Sequence, residues 1–160
     1  MIFVSVGTQL PFDRLISAMD EWASGHQGSS VFAQIGESRY VPRNINFEKS
    51  LSISEYTDFF NEANLVVSHA GMGTIITALE TRKPLIIMPR EFSRGEHRND
   101  HQIATAEKFS HFDLIHVVRD SASLFGAINA AMKSSEVTSN PRLEVSDTLI
   151  KAIESVIESA

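Results

Sequence analysis

The sequence predicts an α/β fold in three layers, a parallel sheet with helices on both faces. Three observations predict it. Short apolar runs bounded by Gly, Pro, Ser or Asn recur along the chain, each followed by apolar residues at helical spacing. These runs are near-continuous rather than alternating, as strands buried on both faces require. A chain of 160 residues, 42% apolar and 21% charged, suffices for one ordinary core and no more.

Ile2–Val6 reads as the first strand, ended by Gly7-Thr8-Gln9. Pro11 opens a helix running to about Ala23, with Leu15, Ile16, Met19 and Trp22 on one face. After a turn-rich break at 26–30, Val31–Ile35 is the second strand and Ile45–Phe47 a short third. Ser52 or Ser54 caps a helix that carries Tyr56, Phe59 and Phe60. Next come a strand at Leu65–Val67, a helix at Gly73–Thr81 and a strand at Leu85–Met88, set between Pro84 and Pro89. Beyond a polar segment lie a helix at Gln102–Phe109, a strand at Leu114–Val118 and a helix at Ser121–Met132. A loop over 134–141 leads to a final helix, Leu143–Ser159, on which Leu149, Ile150, Ile153, Val156 and Ile157 share one face. That face either packs on the chain's own sheet or helps dock a partner. No internal repeat or domain boundary interrupts the pattern, so residues 1–160 read as a single domain.

Composition narrows the function. A net charge of −6 and a pI near 5.5 argue against nucleic acid as the main partner, since phosphate backbones need clustered Lys and Arg. With no cysteine, disulfides and thiolate-bound metals are excluded. The start, MIFVSVG, is short and lacks the basic flank of a signal peptide, and no apolar run approaches membrane-spanning length. A cytoplasmic location is expected, at the inner membrane face if a partner supplies the attachment.

Two polar segments carry the chemistry. The strand at Leu65–Val67 runs into Ser68-His69-Ala70-Gly71-Met72-Gly73-Thr74, and a helical pattern begins at once. Glycines at a strand-to-helix junction let backbone approach an anion, while the new helix offers free N–H groups and the positive end of its dipole. His69 and Thr74 add side-chain donors to the same anion. The blander alternative is a structural histidine beside ordinary helix-start glycines. A dinucleotide fingerprint is absent, because Ile76 stands where the third glycine would fall.

The second segment, residues 90–102, holds Arg90, Arg94 and Arg98 against Glu91, Glu96 and Asp100, with His97, Asn99, His101 and Gln102. Its charges nearly cancel, and it mixes donors with acceptors as a polyhydroxylated, anionic ligand requires. Asp100 and Gln102 suit sugar hydroxyls, and an arginine suits phosphate. His97 and His101 share a helix face, but Arg98 follows His97 where a zincin pattern needs Glu, so no metal site is expected. In parallel sheets ligands bind beyond the carboxyl ends of the strands. The loops at Gly7–Gln9, His69–Thr74 and Pro89–Gln102 all leave such ends and are expected to share one crevice.

VSVGTQ, SEYTDFFNEANLVVSHAGMGTI, KPLIIMPR and GEHRNDHQ, in this order, resemble the donor-binding half of GT-B glycosyltransferases of family 28. The likeness covers residues 1–130 and is nearest to the small subunit of two-chain enzymes, both exopolysaccharide and capsule transferases and the dolichol-pathway N-acetylglucosaminyltransferase. It implies a Rossmann-like domain equivalent to the C-terminal half of a GT-B enzyme. It further implies a UDP-sugar donor, no cofactor, inverting metal-independent transfer, and a membrane-associated acceptor-binding subunit that presents a lipid-linked saccharide. By that resemblance the donor site takes in Thr8, Gln9, His69, Gly71, Gly73, Thr74, Asp100 and Gln102, and the two polar segments add Met72, Arg90, Glu96, His97, Asn99 and His101 as donor-binding candidates. The catalytic base is expected on the partner. Related transferases often place a ribose-binding glutamate seven residues before the next strand's proline. That position here is Thr77, with Glu80 three residues later. A sensor or enhancer module without turnover, or half of a nucleotide-sugar epimerase, is the alternative.

Overall fold

The computed structural model describes residues 1–135. Its strands are β1 (Ile2–Ser5), β2 (Val31–Gln34), β3 (Asn46–Glu48), β4 (Leu65–Ser68), β5 (Leu85–Ile87) and β6 (Ile115–Val117). Its helices are α1 (Asp13–Ser24), α2 (Ile53–Glu62), α3 (Met72–Thr81), α4 (His101–Phe109) and α5 (Ser121–Ser135). The six strands form one sheet in the order β3-β2-β1-β4-β5-β6, and every neighbouring pair is parallel. From β1 the chain winds outward to β3, then returns to place β4 on the other side of β1. The sheet order therefore reverses between β1 and β4, where parallel sheets open a crevice.

Alternation along the strands divides the core. Ile2, Val4 and Val6 face α1 and α5, packing with Leu15, Ile16, Met19, Trp22, Leu124 and Ile128. Phe3, Val66 and Ile87 face the opposite side, against Phe60 of α2, Ile75 and Ala78 of α3, and Ala106 and Phe109 of α4. The result is the expected three-layer arrangement. Phe59 stacks on Phe32 at 3.9 Å and on Phe3 at 5.9 Å, tying α2 to the two inner strands beneath it.

Several boundaries move for identifiable reasons. Helix α1 starts at Asp13 rather than Pro11, because Phe12 leaves helical geometry (φ −136°) to bury its ring completely. Strand β3 lies one residue beyond Ile45–Phe47. Of the two candidate caps, Ser52 is used. Its Oγ accepts from Glu55 N–H at 3.3 Å, and Glu55 Oε2 accepts from Ser52 N–H at 2.8 Å, a reciprocal capping box. The connection between β2 and β3 is held to α1 by two carboxylates. Asp13 accepts from Ser38 Oγ (2.6 Å) and Arg39 N–H (2.8 Å), and the buried Asp20 from Tyr40 Oη (2.7 Å), Arg43 N–H (2.9 Å) and Asn44 N–H (2.6 Å). Burial alone would raise the Asp20 carboxyl, but the bonds from Asn44, Tyr40 and Arg43 outweigh it and hold it below the usual range. The helix expected at Leu143–Ser159, with its apolar face, lies outside the described residues.

Candidate functional site

Three loops leave the carboxyl ends of β1, β4 and β5 and meet at the reversal point around a cleft of about 630 Å³. The first contributes Gly7, Thr8 and Gln9, the second His69, Gly71, Gly73 and Thr74, and the third Arg90, His97 and Gln102. These residues span most of the sequence distance between β1 and α4, yet they share one surface.

The floor is the start of α3. Gly71 occupies the N-cap position and no side chain caps the helix, so the first N–H groups, on Met72, Gly73 and Thr74, have no intrahelical acceptor. They carry the positive end of the helix dipole toward the cleft. Tight packing fixes the histidine beside them. Gly7 adopts a left-handed backbone (φ +72°), and a Cβ there would stand 2.8 Å from His69 Cε1. A Cβ on Gly71 would collide with His69 Nε2. Both glycines are thus required by the imidazole that lies between them. Gly73, by contrast, faces open space.

His69 is anchored from below. Ser68 Oγ donates to the carbonyl of Ser5 at 2.7 Å and lies 3.2 Å from His69 Nδ1. Burial, the nearby Arg90 guanidinium and His97 push the imidazole down to about 4, so it is neutral at pH 7. Thr74 is buried, with its Oγ1 3.3 Å from Tyr56 Oη.

Arg90 reaches the cleft but not as the free phosphate donor that its sequence position suggested. Its guanidinium is buried, donating to the carbonyls of Val6, Leu10 and Pro11 at 2.7 Å each and of Glu96 at 3.2 Å. The Phe12 ring lies beneath it, 4.6 Å from Cζ to centroid. Burial lowers it to about 10, which leaves it charged at neutral pH. Its charge therefore acts on the cleft through space, while its donors hold the β1 loop. Gln102 is similarly committed, with Oε1 accepting from the N–H groups of Ala70 (3.2 Å) and Arg90 (3.1 Å). Its amide nitrogen makes no hydrogen bond among the described residues, and the residue lines the cleft.

Other expected site residues are engaged elsewhere. Glu96 forms a two-pronged pair with Arg14 of α1, at 2.7 Å on each prong, and also accepts from Glu91 N–H. Asp100 accepts from Phe92 N–H at 2.9 Å and Asn99 from His101 N–H at 3.2 Å. Asn99, Asp100 and His101 are exposed outside the cleft wall, and Met72, the first residue of α3, packs against the core. Thr77 lines the cleft, whereas the exposed Glu80 does not. Lys83 donates to the carbonyls of Asn61 and Ala63, closing the end of α2. His97 does line the cleft, and its buried Nδ1 has no partner. Among the described residues no group of three or more His, Asp or Glu side chains is arranged to hold a metal.

One wall was missed from sequence. Leu51, Ser52, Ile53 and Tyr56, together with Gln34, close the end of the cleft next to β1. The signal was available: this segment leaves the carboxyl end of β3, and Ile53 is an apolar residue in the first turn of a polar-capped helix. It stands 89% exposed.

Residues 1–155 match the model of the glycosyltransferase family 28 C-terminal domain. The UDP-N-acetylglucosamine transferase subunit ALG13 of Homo sapiens is 33% identical over 117 residues, 67% of this chain and 10% of the human protein. The Yarrowia lipolytica protein of the same name is 29% identical over 125 residues, 68% of this chain and 59% of that one. The chain thus matches only part of these relatives' length. The solution structure of ALG13 superposes with a TM-score of 0.64 at 19% identity, covering 95% of this chain and 93% of that one. A kitacinnamycin glycosyltransferase crystal structure gives 0.60 at 19% identity, covering 98% of this chain and 38% of the larger enzyme. Both share the Rossmann-like fold. The chain belongs to the glycosyltransferase family 28 C-terminal domain family.

Proposed function

From that membership we propose that this domain binds the nucleoside diphosphate of a UDP-sugar and is the donor half of an inverting, metal-independent glycosyltransferase. The observation that carries this is the uncapped start of α3, with His69 beside it, facing a cleft at the sheet's reversal point. The cleft is polar toward α3 and apolar at Leu51, Ile53 and Tyr56, an arrangement that suits a diphosphate at one end and a base at the other.

In such a reaction an acceptor hydroxyl attacks the anomeric carbon from the face opposite UDP, inverting the centre, and UDP departs. A base must take the hydroxyl proton. It is expected on an acceptor-binding subunit, membrane-associated and presenting a lipid-linked saccharide, so that this chain works at the cytoplasmic face of a membrane in surface polysaccharide or related synthesis. This chain's contribution is to hold the donor and to offset charge growing on the leaving diphosphate. Free N–H groups of α3, its dipole and the buried Arg90 charge all act in that direction.

Titration calorimetry with UDP, UMP and uridine tests the site. His69→Ala is expected to weaken UDP binding by about 1–3 kcal/mol, the range for a hydrogen bond to a charged group. Equal affinity for UDP and uridine, in a protein whose circular dichroism matches wild type, would contradict the diphosphate site. A second reading, a nucleotide-sugar-binding module without turnover, shares the same cleft. Release of UDP from UDP-N-acetylglucosamine on adding an acceptor-binding subunit separates the two.

A further inference from the structure

We infer that His69 meets the donor diphosphate as an imidazolium, taking up one proton from solvent as the donor binds. The inference rests on the diphosphate reading of the cleft and assigns His69 a charge that the protein groups alone do not give it. The hydrogen-bond chain beneath the ring fixes the starting state. Ser5 contributes a carbonyl, which has no proton, so the 2.7 Å contact is filled by the hydroxyl hydrogen of Ser68. That hydrogen is then unavailable to His69, and the 3.2 Å contact between Ser68 Oγ and His69 Nδ1 requires Nδ1–H to donate. A neutral ring with its proton on Nδ1 carries a lone pair on Nε2.

Nε2 is the atom that lies against Gly71 and Gly7 at the cleft wall, and no hydrogen bond from any described residue engages it. A diphosphate offers only acceptors. Its oxygens and the Nε2 lone pair repel one another until one of them gains a proton, and a sugar-linked diphosphate holds none near neutrality. A neutral ring could answer only by moving its proton to Nε2, which would turn the Nδ1 lone pair on Ser68 Oγ and pull the Ser68 hydrogen off the Ser5 carbonyl; gaining a proton keeps every bond of that chain. Ring rotation offers no escape, because Gly7 and Gly71 clamp the edge and Nδ1 is anchored to Ser68.

The groups facing His69 explain why the charge waits for ligand. From β1 and β4 it meets Ser5, Gly7 and Ser68, all uncharged; from the loop after β5 it meets Arg90 and His97; and Tyr56 of α2 adds a phenol to the same cleft. Burial and the Arg90 charge oppose protonation, holding the imidazole at about 4. The negative charges of a bound diphosphate reverse that balance. Nε2–H then donates to a diphosphate oxygen, and as the bond to the anomeric carbon breaks, the electron pair passes to an oxygen beside a full positive charge. When UDP leaves, the proton returns to solvent.

Titration calorimetry of the full chain with UDP-N-acetylglucosamine, near pH 7 in buffers of different ionisation enthalpy, counts the protons directly. Uptake of about one proton per donor bound is expected, with affinity falling up to tenfold for each pH unit above the free value. His69→Gln is expected to abolish uptake and flatten the pH dependence. Binding without uptake overturns the inference while leaving the diphosphate site standing. Uptake that survives in His69→Gln and disappears in His97→Gln also overturns it, moving the proton to the neighbouring ring. Absence of any donor binding overturns both the inference and the diphosphate site.

Discussion

Replacing Gly7 with alanine tests how closely the β1 loop and His69 depend on one another. Two costs add. Alanine in the left-handed region costs about 1–2 kcal/mol, and Gly7 sits there at φ +72°. The new Cβ would stand 2.8 Å from His69 Cε1, against ordinary contact from 3.4 Å, so the ring must retreat by roughly 0.6 Å. A retreat of that size stretches the 3.2 Å contact to Ser68 beyond hydrogen-bond range, losing a further ~1 kcal/mol. The sum is about 2–3 kcal/mol, or a melting point lower by roughly 4–12 °C for a chain of this size. Urea denaturation gives the first quantity and a thermal scan the second. Gly28→Ala is the control, since a Cβ there meets nothing within 4 Å, and it should stay within about 0.5 kcal/mol of wild type. UDP affinity should fall in Gly7→Ala and hold in Gly28→Ala. If the two variants prove equally stable and bind UDP equally well, the clamp around His69 does not exist as described.

Further outcomes follow from the same contacts. Arg14→Ala and Glu96→Ala should show a coupling of about 0.5–3 kcal/mol in a double-mutant cycle of stability, because the pair is two-pronged and largely shielded, with side chains 17% and 11% exposed; simple additivity would remove its role in pinning the polar loop to α1. Gln102→Ala should lower transfer and donor binding more than Asp100→Ala does, since Gln102 lines the cleft and Asp100 lies outside it; steady-state kinetics with the proposed acceptor-binding subunit would show the reverse order if the loop rearranges on binding. Without ligand, stability should fall as pH drops from about 6.5 toward 4. In that window the unfolded His69 binds a proton that the folded one refuses, at about 1.4 kcal/mol per unit of pKa difference. Denaturant midpoints that run parallel in wild type and His69→Gln across that window would exclude His69 as the source.

The alternation of strands and helices was legible because buried parallel strands must be apolar on both faces, and Val4, Val67 and Ile86 announce themselves whatever surrounds them. The convergence of three loops on one cleft was legible for a related reason: strand ends on one side of a parallel sheet are neighbours by construction. Destinations of long side chains were not. Arg90 and Glu96 stand in a polar segment that matched a ligand-binding composition, yet their partners are backbone carbonyls and Arg14, positions set by how α1 packs against β5. Phe12 shows the same limit. Pro11 is a sound helix opener, but burying Phe12 under Arg90 delays the helix until Asp13. The wall at Leu51–Tyr56 was hidden because a capping serine accounts for the local pattern by itself, leaving no residue that asked for a ligand.

The hydrogen bonds from Arg90 to Val6, Leu10 and Pro11 have a mechanical meaning. One side chain rooted after β5 grips the loop after β1 at three points, and Gln102 grips the Arg90 and Ala70 backbones from behind. Parting these walls would strip a buried cation of its acceptors, at a cost of about 1.5–3 kcal/mol for each bond to a charged group. Three such losses make a transient opening along this seam rarer than one in a thousand. The two loops therefore move as one jaw. Across the cleft the lip is formed by Leu51, which packs in part on the core, and Ile53, whose side chain stands in solvent. A donor held as proposed would then leave past that lip more readily than through the jaw, and a surface that settles on Ile53 would lengthen its stay.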